Sequence, residues 1–320
     1  MSDTLQDAGA ARKEQALEPA LLAWAVTALG SGGGATGAQV VGLREGGSPW
    51  RVELSGGASA VLKVAPVEAR GSVATEVAAL EMAAAHGLPV PRVLAADLDG
   101  TVAEGRLAVL TAVVPGSSHV TGPPPLRRFR ALGALAAAIA AVPVPGASAV
   151  LPARGRSIPG VDFAALRRAA PPRPLLVAAE ETVADRIPPE RPAVFVHGDL
   201  WQGNTLWHDP PAHGHTLTGV VDWDCAGSGA PGIDLGSLRC DAWMSAGPEA
   251  ADAVLAGYEE QAGRPADDVA HWDVVAALCT PPTIDWFTDA IRDQGRTDLD
   301  QPTLLARRDA FLRDALHRLG

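Results

Sequence analysis

Lysine is almost missing from this chain. Of the 26 basic residues only Lys13 and Lys63 are lysines, and arginine supplies the rest. A lysine inside an apolar segment is therefore hard to ascribe to drift. Cysteine is scarce too. Cys225, Cys240 and Cys279 are odd in number and show no Cys-x-x-Cys spacing, which speaks against a disulfide framework and for a reducing cytoplasm. Positive charge is outweighed by 37 acidic residues, for a formal charge of −11. Such a balance argues against nucleic acid as a partner and is compatible with a cationic small molecule. No apolar run approaches the ~18 residues of a spanning helix, because Gly, Pro or charge breaks each alanine-rich segment. Nor does the polar stretch Met1–Glu18 hold the apolar centre of a signal peptide. A cytoplasmic protein without membrane contact is expected, monomeric or homodimeric, with residues 1–18 as a disordered tail.

What is present is length enough for two domains or one large one. Ala20–Ala28 reads as a short helix. Gln39–Arg44, Trp50–Leu54 and Ala60–Val64 follow, three strand-like segments separated by glycine turns and predicting an antiparallel meander. Lys63 lies in the third, between Leu62 and Val64. Ser72–His86 has helical periodicity, with Val73, Val77, Leu80 and Ala84 on one face and a stop at Gly87. Asp99-Gly100 is a turn signal before the apolar run Leu107–Val114. Five strands and one helix thus make a small N-terminal lobe over residues 19–113. From Leu126 the pattern turns helical: Leu126–Ala141, a segment from Val161 to before Pro171, Leu175–Arg186, Glu249–Glu260, Asp268–Leu278, a helix from Thr283, and Pro302–Leu319. Residues 143–160 read as a loop, and 114–320 as a mainly helical lobe.

The chemistry concentrates between Ala193 and Asp224. Two short apolar runs, Ala193–Val196 and Leu217–Val221, look like buried strands. After the first comes His197-Gly198-Asp199-Leu200-Trp201-Gln202-Gly203-Asn204, and after the second Asp222-Trp223-Asp224. An aspartate, an asparagine five residues on and an aspartate beyond the next strand suit phosphoryl transfer from a nucleotide. There the protein supplies a carboxylate to orient a hydroxyl, and an amide oxygen and a carboxylate to hold Mg²⁺. The spacing is that of the protein-kinase catalytic loop, with Gly198 where those enzymes carry arginine. Each residue alone would be an ordinary turn residue; in this order, each after a strand, they make a site.

These motifs resemble the aminoglycoside phosphotransferase family of small-molecule kinases, most clearly over residues 193–236 and also over 36–116. The resemblance implies an α+β, two-lobed protein-kinase-like fold. It also implies an Mg²⁺-dependent enzyme that moves a phosphoryl group from ATP or GTP to an alcohol group of a small molecule. By the same resemblance Asp199 is the catalytic base, Asn204 and Asp222 hold the metal, and Lys63 pairs with Glu76 and reaches the nucleotide phosphates. Ser31, Gly34 and Thr36 of the glycine loop at 31–37 would contact the nucleotide, and backbone groups at Thr111 to Val113 would bond the purine. That loop is no Walker A motif, since no Gly-Lys-Ser/Thr follows, and a plain connector explains it as well. Where the family often has Gly-Asp-Pro, this chain has Gly229-Ala230-Pro231; Asp234 matches the family's structural aspartate.

The acceptor is less legible. Asp224 could bind a second metal ion or substrate, or only cap a turn. Asp285, Trp286 and Asp289 share a helix face and, with Trp243, could grip an amine-bearing substrate by charge and cation–π contact. A solvated acidic face is the plainer reading. An antibiotic acceptor of the aminoglycoside, macrolide or peptide type, giving resistance, leads over a metabolic amino alcohol, sugar or amino acid. Two rival classes stand beside it. One is a nucleotide-binding protein without catalysis, which the intact Asp199, Asn204 and Asp222 oppose. The other is a zinc hydrolase built on His208, His213 and His215, whose spacing fits no zinc pair and which leaves Lys63 without a task.

Overall fold

The structure is a computed structural model, and it describes residues 16–30, 37–43, 48–144, 150–186, 188–208 and 216–320. Two compact units divide the chain: one comprises Met1–Val77 and Pro91–Val113, the other Ala78–Val90 and Val114–Gly320.

The first unit is built on a five-stranded, wholly antiparallel sheet: β1 (Ala38–Gly42), β2 (Trp50–Leu54), β3 (Ser59–Pro66), β4 (Val93–Asp97) and β5 (Arg106–Ala112). Its spatial order is β1-β2-β3-β5-β4, so the meander of the first three strands continues into β5 and leaves β4 at the edge. Side chains alternate across a strand, and here that splits the unit into two cores. Ala60, Leu62, Ala108 and Leu110 face Leu21 and Ala25 of helix α1 (Pro19–Ala28). Leu107 and Val109 turn the other way, onto Val73 and Val77 of helix α2 (Arg70–Ala85). Lys63 stands opposite Val109 in the ladder, so period two places its side chain on the α2 side. The connection from β4 to β5 is closed by Asp97, whose carboxylate accepts from the Asp99, Gly100 and Val102 N–H groups and the Thr101 hydroxyl. The strand expected to reach Val114 ends at Ala112.

The second unit holds helices α3 (Leu126–Ala140), α4 (Phe163–Ala169), α5 (Pro174–Asp185), α6 (Gly232–Ala246), α7 (Pro248–Ala262), α8 (Val269–Leu278), α9 (Asp285–Asp293) and α10 (Gln301–Leu319). Leu176, Met244, Val274, Leu304, Phe311 and Leu312 are among the buried side chains that join α5, α6, α8 and α10 in one core. Helices α3 and α7 approach at backbone distance, because a Cβ on Gly133 would sit on the Val254 carbonyl oxygen and one on Gly257 on the Arg130 carbonyl oxygen. A triad centred on the buried Asp273 ties α6, α8 and α10. Asp273 takes Arg239 Nε at 2.9 Å and Arg318 Nη2 at 2.6 Å, which satisfies charges that would be costly if left alone.

Small strands carry the loops between these helices. β8 (Thr205–His208) and β9 (Thr216–Val220) form an antiparallel pair. β7 (Val194–Val196) pairs antiparallel with β10 (Gly227–Gly229), which pairs parallel with β6 (Ala153–Arg154). β6 corrects the expectation of an unstructured stretch over 143–160. Strands of two and three residues, one of them Gly-Ser-Gly, have no periodicity to read.

Candidate functional site

Register places Asn204 beside Asp222. Thr205 pairs with Val220 across β8 and β9, and the Val221 N–H donates to the Asn204 carbonyl at 2.9 Å. The two residues past that last rung therefore emerge at one end of the ribbon. Asn204 is buried in a short 3₁₀ turn, Gln202–Asn204. Its Nδ2 donates to the Asp199 carbonyl at 2.9 Å and to Asp199 Oδ2 at 3.3 Å. With the amide nitrogen so engaged, the Oδ1 oxygen is the end left for a cation. Asp222 adopts φ 68°, ψ 60°, a left-handed conformation uncommon outside glycine and tolerated best by Asn and Asp.

The loop carrying Asp199 is held from two sides. Asp234, in the first turn of α6, receives the His197 N–H at 2.7 Å on Oδ2 and the Gly198 N–H at 2.9 Å on Oδ1. Burial pushes the Asp234 pKa up, against the pull of His197 and of those two donors. From the other side, His197 Nε2–H donates to the Val221 carbonyl at 3.0 Å, while Nδ1 accepts the Asp199 N–H at 3.3 Å. Burial holds the imidazole pKa down, so the ring is neutral with its proton on Nε2. His197 thus bridges the loop to the strand before Asp222 and has no nitrogen left for catalysis. Gly198 has φ +80°, and a Cβ there would collide with the Cys225 carbonyl, which explains glycine in place of arginine. Under both segments Trp223 is fully buried, 5.4 Å from Phe195 and 4.5 Å from His197 between ring centroids.

Asp199 is raised to about 7, first by burial, then by the charges of Asp222 and Asp224, while the Asn204 hydrogen bond pulls the other way. Three carboxylates therefore share one small region. Arg154 on β6 supports it from behind, donating Nε and Nη2 to the Ala226 carbonyl at 3.0 and 2.8 Å, with Asp224 within electrostatic reach. Two carboxylates and an amide oxygen suit a hard divalent ion that keeps water and phosphate oxygens of its own. No cluster of three His, Cys, Asp or Glu side chains fit for a metal occurs among the described residues. His208 is exposed at the end of β8, and His213 and His215 lie outside the described residues. The three cysteines are free thiols, and burial pushes each pKa upward, so none is a ready nucleophile.

In the first unit Lys63 Nζ meets Glu76 Oε2 at 2.9 Å, the glutamate buried and the lysine partly exposed. Glu76 lies on the face of α2 that also carries Val73 and Val77, which turns it toward the sheet. Thr111 is the penultimate residue of β5 and Val113 the first past its end. Ser31, Gly34 and Thr36 lie outside the described residues.

Within the second unit Asp199 lines a cleft. One wall is a face of α6, with Ser237, Cys240, Asp241 and Met244 at helical spacing. Another is α9, with Trp286, Phe287, Ala290 and Ile291. Of the substrate residues expected from the sequence, only Trp286 is part of this lining. Trp243 packs edge-on against Phe311 at 5.5 Å, on the core side of α6. Asp285 and Asp289 are exposed and lie outside the lining. The residue that sequence reasoning missed is Asp241, buried at 6 % exposure in the wall it shares with Ser237, Cys240 and Met244. Its signal was an acid at an i+4 position in the buried stripe of α6, legible only once that face is known to border a cleft.

A family comparison matches residues 39–278 to a family described as phosphotransferase enzymes. The chain belongs to that family. Like its relatives this phosphotransferase has a protein-kinase-like α+β fold, and its reaction is phosphoryl transfer to an alcohol group of a small molecule. Among solved structures it is similar to an aminoglycoside-3′-phosphotransferase of type VIII, at 23 % identity and TM-score 0.54, over 76 % of this chain and 94 % of that one. It is also similar to a macrolide 2′-phosphotransferase from Brachybacterium faecium, at 20 % identity and TM-score 0.59, over 89 % and 97 %. A third is an amicoumacin kinase in complex with AMP-PNP and Ca²⁺, at 18 % identity and TM-score 0.56, over 86 % and 88 %. A search of curated proteins returns no match. No helix among the described residues is long and apolar enough to cross a membrane.

Proposed function

We propose that this phosphotransferase moves the γ-phosphoryl group of ATP or GTP to a hydroxyl of a small antibiotic of the aminoglycoside, macrolide or peptide type, and so confers resistance. The observation that carries this reading is Asp199 standing at once beside Asn204 and at the mouth of the cleft. A carboxylate so placed can accept or orient a hydroxyl proton on one side while the metal ligands lie on the other. Asn204 Oδ1 and Asp222 would hold Mg²⁺, and Lys63, aligned by Glu76, would bind the phosphates. Bound Mg²⁺ would supply neutralisation of phosphate charge. The acidity of the Asp199 site fits this reading, since its raised pKa keeps proton acceptance near neutral pH. His197 and Asp234 would hold the loop in register. Solved relatives bound to AMP-PNP or ADP support a nucleoside triphosphate as donor.

The test is gain of phosphate by mass spectrometry. Antibiotics of the three classes would be incubated with the enzyme, Mg²⁺ and either ATP or GTP, beside amino alcohols, sugars and amino acids. An antibiotic product is expected, with the Asp199→Asn variant slower by about 10²–10⁴-fold. Phosphorylation confined to the metabolic panel would refute the antibiotic assignment. Transfer by Asp199→Asn at the parent's rate would refute the catalytic one.

A further inference from the structure

The cleft beside Asp199 is lined mainly by apolar side chains, with the hydroxyls of Ser157, Ser237 and Thr280 among them, and one buried carboxylate is set into it. Asp241 lies on α6 at 6 % exposure. Its Oδ2 accepts the Gln202 N–H at 3.2 Å. Among the described residues nothing donates to Oδ1, and no ion pair within 4 Å engages the group; Arg128 and Arg296 act on it only through space. A buried charge without a close partner is costly, and a ligand cation would relieve that cost. Around it the cleft presents Trp201, Met244, Trp286, Phe287 and Ile291. Trp286 is 42 % exposed at the rim, a large apolar face left open to solvent.

Charge capacity then limits the ligand. Among the described residues Asp199 and Asp241 are the only carboxylates in the lining, and the first is committed to the acceptor hydroxyl under the phosphotransferase reading, on which this inference rests. We propose that the acceptor is a mainly apolar, hydroxylated molecule with a single basic nitrogen, which meets Asp241 while its apolar body covers the Trp286 side of the cleft. A polycation would carry several ammonium groups into a wall that can pair one of them.

Binding tests this without turnover. Tryptophan fluorescence and calorimetry would be followed for a panel of apolar monoamino alcohols that includes erythromycin, for kanamycin as the polycation, and for a neutral hydroxylated macrolactone. At least one monoamine is expected to bind about a hundredfold more tightly than kanamycin. Asp241→Asn keeps an acceptor for the Gln202 N–H, so its fold is preserved. It should weaken that monoamine about ten- to a hundredfold and leave the neutral macrolactone unchanged. Trp286→Ala, at an exposed rim position, should weaken both apolar probes about tenfold. Tighter binding of kanamycin, equal monoamine affinity in Asp241→Asn, or no binding by any monoamine would each overturn the proposal. Monoamine binding that depends on Asp241 but never leads to nucleotide-dependent phosphate gain would count against phosphoryl transfer, while upholding the class of molecule the cleft takes.

Discussion

Removing the carboxylate of Asp234 should loosen the loop that carries Asp199. Two backbone N–H groups, of His197 and Gly198, end on its two oxygens at 2.7 and 2.9 Å, and both are buried. Hydrogen bonds to a charged acceptor are worth about 1.5–3 kcal/mol each, so Asp234→Ala forfeits about 3–6 kcal/mol in gross terms. Part returns, because the variant no longer buries a carboxylate whose raised pKa records the cost of its desolvation. A further few tenths are lost with the negative charge in the first turn of α6. The net loss should be about 3 kcal/mol. Asp234→Asn should cost about 2 kcal/mol, since its carbonyl can accept one N–H while its NH₂ opposes the other. Entropy of unfolding scales at about 2.1 cal/mol/K per residue, so the alanine variant should melt about 4–7 °C lower by calorimetry. Its kcat should fall more than its nucleotide KM rises, because the loop holds Asp199. A melting point within about 1 °C of the parent, or alanine milder than asparagine, would refute this account of the loop.

Other positions give tests of opposite kinds. Burial raises the pKa of Asp97, but its hydrogen bonds from Val102, Thr101 and Asp99 outweigh that, and the net shift is downward. A lowered folded-state pKa adds stability that is present above the ordinary carboxylate value of about 3.9 and is lost as pH falls through the lower folded value. Asp97→Asn should therefore lower the urea midpoint at neutral pH, with the gap to the parent closing below about pH 4; a gap that widens in acid would contradict the sign. At the α3–α7 crossing, helix propensity alone would make Gly257→Ala stabilising by about 1 kcal/mol. The Arg130 carbonyl stands where the new methyl must go, and overpacking of about 2–3 kcal/mol should win. A thermal melt decides by sign alone, and a stabilised variant would show the helices free to part.

Much of the architecture was legible because it is written in short-range pattern. The meander of β1, β2 and β3 follows from three apolar segments cut by glycine turns, and the helices from apolar repeats that end at Gly or Pro. Lys63 stood out through the rarity of lysine, and its pairing with Glu76, at 2.9 Å in the structure, was implied by the family resemblance rather than by the strand and helix pattern. The elements that escaped are those with too few residues to show a period, β6 and β10. For the acceptor, the acidic face of α9 attracted attention by its spacing, yet Asp285 and Asp289 project into solvent.

By itself the sequence determined where these residues fall along the chain: His197 and Asp199 come after β7, Asn204 in the turn just before β8 and Asp222 after β9, so local folding already delivers them to strand ends. Only the tertiary structure decided what surrounds them. Asp234 reaches His197 from 37 residues away, Arg154 reaches Ala226 from 72, and Asp241 becomes a cleft wall only when α6 is set opposite α9. Spacing along a chain fixes neighbours within a turn or a hairpin. Burial, pKa and the chemistry of a cavity depend on which distant surfaces close over a residue, and packing alone sets that.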